Sequence, residues 1–154
     1  MKKIILFVAL ATLGMSLNSC SSDDSGSSTQ GGTITVKIDG VSTTFDNVIV
    51  NAETFEDGGE TYTSLDVTAT KGTSTSEIIT FYTEKGEVGA DKIWSFTYVK
   101  NGEQYNSNGE LTTVIQTNGN DQKLTGSFSG TVSYYDGGNV QEVVLTDGSF
   151  NIKY

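Results

Sequence analysis

The sequence contains no histidine, and its nine basic residues are all lysines because arginine is absent as well. Without histidine, neither a Ser-His-Asp nor a Cys-His catalytic arrangement can be assembled, and zinc sites that depend on imidazole are excluded. Carboxylate pairs, as used in glycoside hydrolysis, are the catalytic groups that remain, and the spacing of the 19 acidic residues singles out none of them. We therefore expect a protein without enzyme activity, cofactor or metal site.

The first 19 residues have the composition of a secretory signal peptide. Lys2 and Lys3 supply the positive start, and an apolar run from Ile4 to Leu17 follows. At about 14 residues, this run is too short for a membrane-spanning helix, which needs roughly 20. A buried core helix is the alternative, but the run is not amphipathic and a Ser/Gly/Asp tract follows it at once.

The chain has one cysteine, and it stands at the end of this segment. Leu17-Asn18-Ser19-Cys20 resembles the lipobox of bacterial lipoprotein precursors, with leucine three places before the cysteine and a small residue just before it. A lone thiol is a liability in an oxidising compartment, and acylation of the sulfur removes it. We predict cleavage after residue 19 and attachment to a membrane through lipidated Cys20, because a lipid with more than one acyl chain anchors stably.

Residues 20–32 are predicted to form a lipidated cysteine followed by a flexible acidic Ser/Gly tether, since no apolar side chain follows Cys20 there. Ser21, Ser22, Asp23 and Asp24 resemble the acidic export signal that sends many Bacteroidota lipoproteins to the outer face of the outer membrane. The alternative is that the two acids only add solubility. The expected location is the outer membrane, with the domain displayed at the cell surface.

The predicted mature chain is strongly acidic. Cleavage would remove two lysines and no acidic residue, which leaves 19 acidic against 7 basic side chains and a net charge of −12. Such a surface repels phosphate backbones and anionic lipid headgroups, so nucleic-acid binding is excluded. The length is that of a single domain of about 120 residues with its own core.

Residues 33–154 alternate strand patterns with turn signals. Ile34, Val36 and Ile38 fall on one face of the first strand, and the clearest alternation is in residues 124–134. The apolar residues are mostly β-branched or aromatic, as strands prefer, and no 3.6-residue period appears. This predicts an all-β domain, an antiparallel meander of about nine or ten strands closed as a β-sandwich or a flattened barrel.

Dipeptides of Asp or Asn followed by Gly divide the strands, because such pairs favour tight hairpin turns. They occur at Asp39-Gly40, Asp57-Gly58, Asn101-Gly102, Asn108-Gly109, Asn118-Gly119, Asp136-Gly137 and Asp147-Gly148. We predict a turn at each of them, so that the chain ends in a hairpin whose last strand is SFNIKY. Phe128 and Phe150 should then both be buried, close to each other.

Three segments resemble a family of uncharacterised Bacteroidota lipoproteins. They are GGTITVKIDGVSTTF, the stretch from Gly86 to Tyr98, and LTGSFSGTVSYY with the ending VVLTDGSFNIKY. Members of the family share a G-F-S strand followed by a terminal TDG-F-N hairpin. The resemblance covers most of residues 32–154 and implies a lipobox signal peptide and an all-β domain. Its motifs are turn glycines and core aromatics, so it carries over no functional residue.

Aromatic side chains form two groups that bear on ligand binding. Trp94, Phe96 and Tyr98 recur at period two, and we interpret this stripe as the core face of a strand. Three tyrosines have polar neighbours on the same face of their strands and are the candidates for an exposed ligand platform. They are Tyr62, Tyr82 and Tyr105.

Calcium is the metal that this composition suits, since it binds carboxylate and carbonyl oxygens. The loops that could supply such oxygens are Asp136-Gly-Gly-Asn139 and Asn118-Gly-Asn-Asp121. Neither has the regular ligand spacing of a known calcium loop, and we interpret both as hairpin turns.

Two classes of function stay open for the exported domain. The first is a noncovalent binding module for glycan, peptide or another envelope protein. The second is a structural or protective surface component without a specific ligand. A carboxylate-based glycoside hydrolase is a third alternative that no spacing favours. An exposed tyrosine cluster or a concave acidic groove would favour binding, whereas a smooth Thr/Ser/Asp surface would favour the structural role.

Overall fold

A computed structural model describes residues 27–154 of the protein, with side chains from residue 31 onward. All regular elements in this range are β-strands, and they pair antiparallel, so the all-β meander predicted from the sequence is confirmed. Within the same range there is no helix with the length and hydrophobicity needed to span a membrane. The predicted signal peptide, Cys20 and residues 21–24 lie outside the described residues.

Eleven strands follow one another along the described chain. They are β1 (Ser27–Gln30), β2 (Gly32–Ile38), β3 (Val41–Phe45), β4 (Asn47–Asp57), β5 (Glu60–Lys71), β6 (Ser74–Glu84), β7 (Gly89–Ala90), β8 (Ile93–Lys100), β9 (Glu103–Asn118), β10 (Lys123–Asp136) and β11 (Asn139–Lys153). They form one sheet with the order β1-β4-β5-β6-β8-β9-β10-β11-β2-β3, and the short β7 pairs with β9 beside this path.

The strands at the two ends of this path, β1 and β3, belong to opposite arms of one long hairpin, in which β1 and β2 form one arm and β3 and β4 form the other. β1 pairs with β4, with Gln30 opposite Ile49, and β2 pairs with β3, with Ile34 opposite Phe45, in one continuous register. The turn between them is Asp39-Gly40, where φ is 49° and 83°, as a two-residue hairpin turn requires. β11 pairs with the other edge of β2, and β5 with the other edge of β4. The sheet therefore curls round on itself like a barrel and is not divided into the two sheets of a sandwich.

The core fills the inside of this curl, because every second residue of each long strand points inward. Phe128 and Phe150 are both buried, as predicted. The largest fully buried side chains are Tyr98, Phe45, Phe81, Phe96, Ile34, Leu65, Ile79, Ile115, Leu124, Leu145, Ile152 and Val48. Rings meet across the interior, with the Phe150 centroid 5.2 Å from that of Phe81 and the Phe128 centroid 5.0 Å from that of Phe96.

The turn predicted at Asp147-Gly148, which would have begun a terminal hairpin, is wrong. β11 runs without interruption from Asn139 to Lys153, and the register against both β10 and β2 shifts by one residue at this dipeptide. Asp147 has a φ of 52°, and a Cβ at Gly148 would lie 2.5 Å from the carbonyl oxygen of Phe128. The dipeptide thus forms a β-bulge, which uses the same backbone freedom as a turn.

The turn predicted at Asn108-Gly109 is wrong for the same reason. β9 continues from Glu103 to Asn118, and its register against β10 is irregular between Gly130 and Val132, which pair with Leu111 and Ser107. The extra residues of β9 at this irregularity include Gly109, whose φ is 93°. β9 is therefore one long strand that bends at this point, and not two short strands separated by a turn.

Strand pairing begins earlier than predicted. Ser27–Gln30 forms β1 and pairs with β4, inside the stretch that composition assigned to a flexible tether. The backbone of Gly31 continues the ladder by donating to the carbonyl oxygen of Val48, at 3.1 Å. A ladder of backbone hydrogen bonds needs no apolar side chain, which is why composition alone did not indicate this strand.

Candidate ligand-binding groove

A shallow groove crosses the outer face of four neighbouring strands, β4, β5, β6 and β8, and encloses about 440 Å³. Its lining consists of outward-pointing side chains, four of them aromatic and two of them carboxylates. They are Asn51, Glu53, Phe55, Tyr62, Ser64, Asp66, Tyr82, Trp94 and Ser95. We call this surface the aromatic groove.

Strand pairing places the aromatic rings at two ends of the groove. At one end Phe55 lies opposite Tyr62, and the two rings stack with centroids 5.5 Å apart and an interplanar angle of 23°. At the other end Tyr82 lies opposite Asp66 and is joined by Trp94 from β8. Tyr62 and Asp66 are roughly 13 Å apart along β5, at about 3.3 Å per residue. The groove is therefore long enough to offer two separate ring contacts to one ligand.

Trp94 reaches the groove because of a β-bulge, and its assignment to the core face is wrong. Phe96 and Tyr98 are buried as that assignment requires, but Trp94 is 55% exposed. The register between β6 and β8 shifts between the pairs Tyr82–Ser95 and Thr83–Ile93. This extra residue turns Trp94 outward and lets Ile93 pack against the core in its place.

Two carboxylates line the groove, Asp66 at the Tyr82 end and Glu53 between the two ends. Asp66 is opposite Asn51, and Glu53 follows Asn51 at the next outward position of β4, so Glu53 and Asp66 are diagonal neighbours about 7–8 Å apart. Burial raises the pKa of the Asp66 carboxyl, a hydrogen bond with Tyr82 partly opposes this, and the charge of Glu53 adds to it. No lysine is among the described residues that line the groove. The potential in the groove is therefore negative.

Tyr105, one of the three tyrosines predicted to form an exposed platform, is not on the surface. It is 6% exposed and lies opposite Tyr98 on the inner face of the sheet, with ring centroids 6.1 Å apart. Its hydroxyl donates to the Glu103 carboxylate at 2.9 Å, and burial is the main cause that raises its pKa. Tyr62 and Tyr82, the other two candidates, do lie together in the aromatic groove.

The two loops considered for calcium are turns. Asn118, at the start of one of them, is 3% exposed, and its amide donates to the carbonyl oxygens of Glu84 and Glu87, at 2.6 and 3.1 Å. Its Oδ1 accepts a hydrogen bond from the Tyr154 hydroxyl, so it faces the protein and not a cation. The other loop, Gly137-Gly138, closes the β10–β11 hairpin with two positive φ angles. Among residues 27–154 no cluster of three or more metal-binding acids was found.

No family model, curated protein or solved structure matches this chain. What the groove binds must therefore be inferred from its own side chains.

Sequence reasoning missed Phe55 and Trp94, which complete the groove. Phe55 could have been identified, because Val48 and Val50 point inward and Phe55 lies at an odd offset in sequence from both, which places it on the outward face. Trp94 could not have been identified, because a β-bulge turns it outward and this bulge has no distinct sequence signal.

Proposed function

We propose that this protein is a lipid-anchored lipoprotein of the outer membrane, displayed at the cell surface, whose domain binds a glycan noncovalently in the aromatic groove. The anchor follows from the lipobox at residues 17–20, and the surface display from the acidic residues 23 and 24 behind it. The tether then positions the domain away from the headgroups.

One observation carries the binding function: three large aromatic side chains of the groove are exposed to solvent on the outer face. The exposed fraction is 41% for Phe55, 41% for Tyr82 and 55% for Trp94. The same strands also have inward positions, buried in the core, that hold large apolar side chains. Exposed aromatic clusters rimmed by polar groups mark ligand-binding surfaces. Asn51, Ser64 and Ser95 supply that polar rim, and flat rings suit the faces of sugar rings. A purely protective coat would need no such cluster.

The groove contains the only tryptophan of the chain, which gives a direct test. The mature lipoprotein in detergent should show a saturable change in Trp94 fluorescence with at least one polysaccharide of a panel. Tyr82→Ala should weaken that binding by roughly tenfold, since an aromatic contact contributes about 1 kcal/mol beyond its buried area. Tyr135→Ala is the matched control, because Tyr135 is 71% exposed but lies on β10, outside the groove.

A glycoside hydrolase is a second candidate for the same groove, and the carboxylate pair is the observation that favours it. Two acids flank the scissile bond in such enzymes, and one of them has a raised pKa. Glu53 and Asp66 lie diagonally across β4 and β5, and the pKa of Asp66 is raised. Release of reducing ends from a bound polysaccharide, lost in Asp66→Asn, would establish hydrolysis in place of simple binding.

If no member of the panel changes Trp94 fluorescence, and Tyr82→Ala and Tyr135→Ala behave alike in every assay, the binding proposal fails. The structural or protective role would then be the better description.

A further inference from the structure

We infer that the aromatic groove selects glycans that carry a protonated amine, so that its ligand is an amino sugar with a free ammonium group. This inference rests on the proposed glycan-binding function and adds the charge of the ligand to it. The juxtaposition that carries it is a pair of carboxylates, Glu53 and Asp66, beside exposed aromatic side chains on a surface to which no lysine contributes.

Asp66 lies at the Tyr82 end of the groove. It lies on β5 with Asn51 opposite it on one side and Tyr82 opposite it on the other, so its carboxylate is flanked from both neighbouring strands. Glu53 stands one outward position along β4, opposite Ser64. A ligand that touches both aromatic ends therefore comes close to both carboxylates.

The negative charge of the groove has no positive side chain within its lining. The lysines that form ion pairs do so elsewhere, as Lys37 with Asp147, Lys71 with Glu77, and Lys92 with Glu87. A ligand with an ammonium group would supply the missing positive charge, whereas a sulfated or uronic-acid glycan would be repelled. The raised pKa of Asp66 agrees with this, because burial disfavours the ionised carboxylate and a nearby ammonium group would stabilise it.

The aromatic rings add to the preference for a cation. Tyr and Trp faces attract an ammonium within about 6 Å of the ring centroid. Tyr82 and Trp94 stand beside Asp66, so one ammonium can contact a carboxylate and a ring face together. Two carboxylates are too few for calcium, which takes six to eight oxygen ligands.

The length of the groove favours a sugar chain over a lysine side chain. Its aromatic ends are roughly 13 Å apart along the strand direction, and Asn51 and Ser64 between them offer hydrogen bonds to hydroxyl groups. One lysine side chain could occupy one end, but it has no ring to place on the stacked Phe55 and Tyr62 at the other.

The test compares two probes of equal length, a glucosamine oligomer and its fully N-acetylated counterpart, titrated into the mature lipoprotein in detergent with Trp94 fluorescence and calorimetry as readouts. The amine-bearing oligomer should bind about tenfold or more tightly, and its affinity should fall as salt is added. Asp66→Asn and Glu53→Gln should each weaken its binding by about fivefold and weaken binding of the acetylated oligomer by a clearly smaller factor. Glu142→Gln is the control, because Glu142 is exposed on β11, outside the groove.

The outcomes separate this inference from the proposed function. Equal affinities for the two oligomers, unaffected by either amide substitution, would overturn the preference for amines and leave glycan binding standing. A lysine-rich peptide that binds more tightly than the glucosamine oligomer would overturn the assignment to a sugar. Failure of both oligomers to bind, while another glycan of the panel does bind, would reject the inference alone. Failure of every glycan would reject the proposed function as well.

Discussion

The ring of Phe150 on β11 occupies the space above Gly126 on β10, where any other residue would have its side chain. A Cβ built at Gly126 lies 2.2 Å from Cζ of Phe150 and 2.3 Å from the carbonyl oxygen of Val114. The two residues are cross-strand partners, so glycine at one of them lets the aromatic ring at the other lie flat across the ladder. This arrangement directs Phe150 into the middle of the core, where it meets Phe81.

We therefore predict that Gly126→Ala destabilises the domain by about 3 kcal/mol, the upper part of the usual range for an overpacked core. Urea unfolding followed by circular dichroism measures this. Gly31→Ala is the matched control, because the nearest atom to its added Cβ is 4.0 Å away. Equal unfolding midpoints for the two variants would show that Phe150 does not occupy this space.

The bulge in β8 predicts opposite roles for two aromatic residues that are close in sequence. Phe96→Ala should lower the free energy of unfolding by about 3–5 kcal/mol, because Phe96 is buried against Phe128. Trp94→Ala should change it by less than about 1 kcal/mol, as is usual for an exposed site. In the native protein acrylamide should quench Trp94 nearly as well as it does after unfolding. Strong protection of Trp94 from acrylamide would contradict the bulge.

The cluster of Glu77, Lys71 and Tyr98 predicts a loss of stability in acid. The Glu77 carboxylate accepts hydrogen bonds from Lys71 and from the Tyr98 hydroxyl, and these lower its pKa below the usual 4.5. Because the folded state favours the ionised form, this contribution is present above pH 4.5 and is lost as pH falls towards the folded pKa.

Glu77→Gln should therefore be less stable than the parent protein near neutral pH, and the difference should shrink as pH falls below 4.5. Thermal unfolding at a series of pH values measures it, with Glu142→Gln as an exposed control. A difference that stays constant with pH would show that ionisation of Glu77 contributes nothing to stability.

Lipidation is predicted to depend on Cys20, which lies outside the described residues. Cys20→Ser should abolish labelling with an alkyne-palmitate analogue and leave the unprocessed precursor in the inner membrane. Immunoblots of fractionated cells measure both effects. A variant that still runs at the mature size and still partitions into detergent would refute the anchor.

Surface display is predicted to depend on Asp23 and Asp24. Protease added to intact cells should remove the domain from the parent strain and spare it when both residues are alanine. Similar protease sensitivity in the two strains would assign these acids to solubility alone.

Strand faces were predictable from the sequence wherever the period of two is unbroken. Ile34, Val36 and Ile38 point inward as the alternation requires. The same rule failed at Trp94 because a single extra residue in β8 switches the residues before it to the opposite face of the sheet. No residue type in the sequence indicates where such an extra residue occurs. Asp147-Gly148 failed differently, since Asp-Gly serves a bulge as readily as a turn.

Tyr105 shows a third limit of local sequence reasoning. Its neighbours on the same face of the strand are polar, which indicated an exposed position. Tyr105 is instead buried by two other tyrosines. Tyr98 is its partner across the ladder, and the ring centroid of Tyr134 lies 5.8 Å from that of Tyr105. Partners on other strands are set by the register of the whole sheet, which the local pattern does not contain.

The place of β2 between β3 and β11 has a consequence for how the chain folds. β3 is its neighbour in sequence, but β11, which contains Phe150, the partner of Ile34, is the most distant of the described strands along the chain. One edge of β2 therefore stays unpaired until β11 has been synthesised, and the ladder that closes the sheet joins strands far apart in sequence. Contacts so distant in sequence slow folding. The domain thus completes its fold only once β11 is available, and loss of β11 would leave an open, aggregation-prone edge on β2.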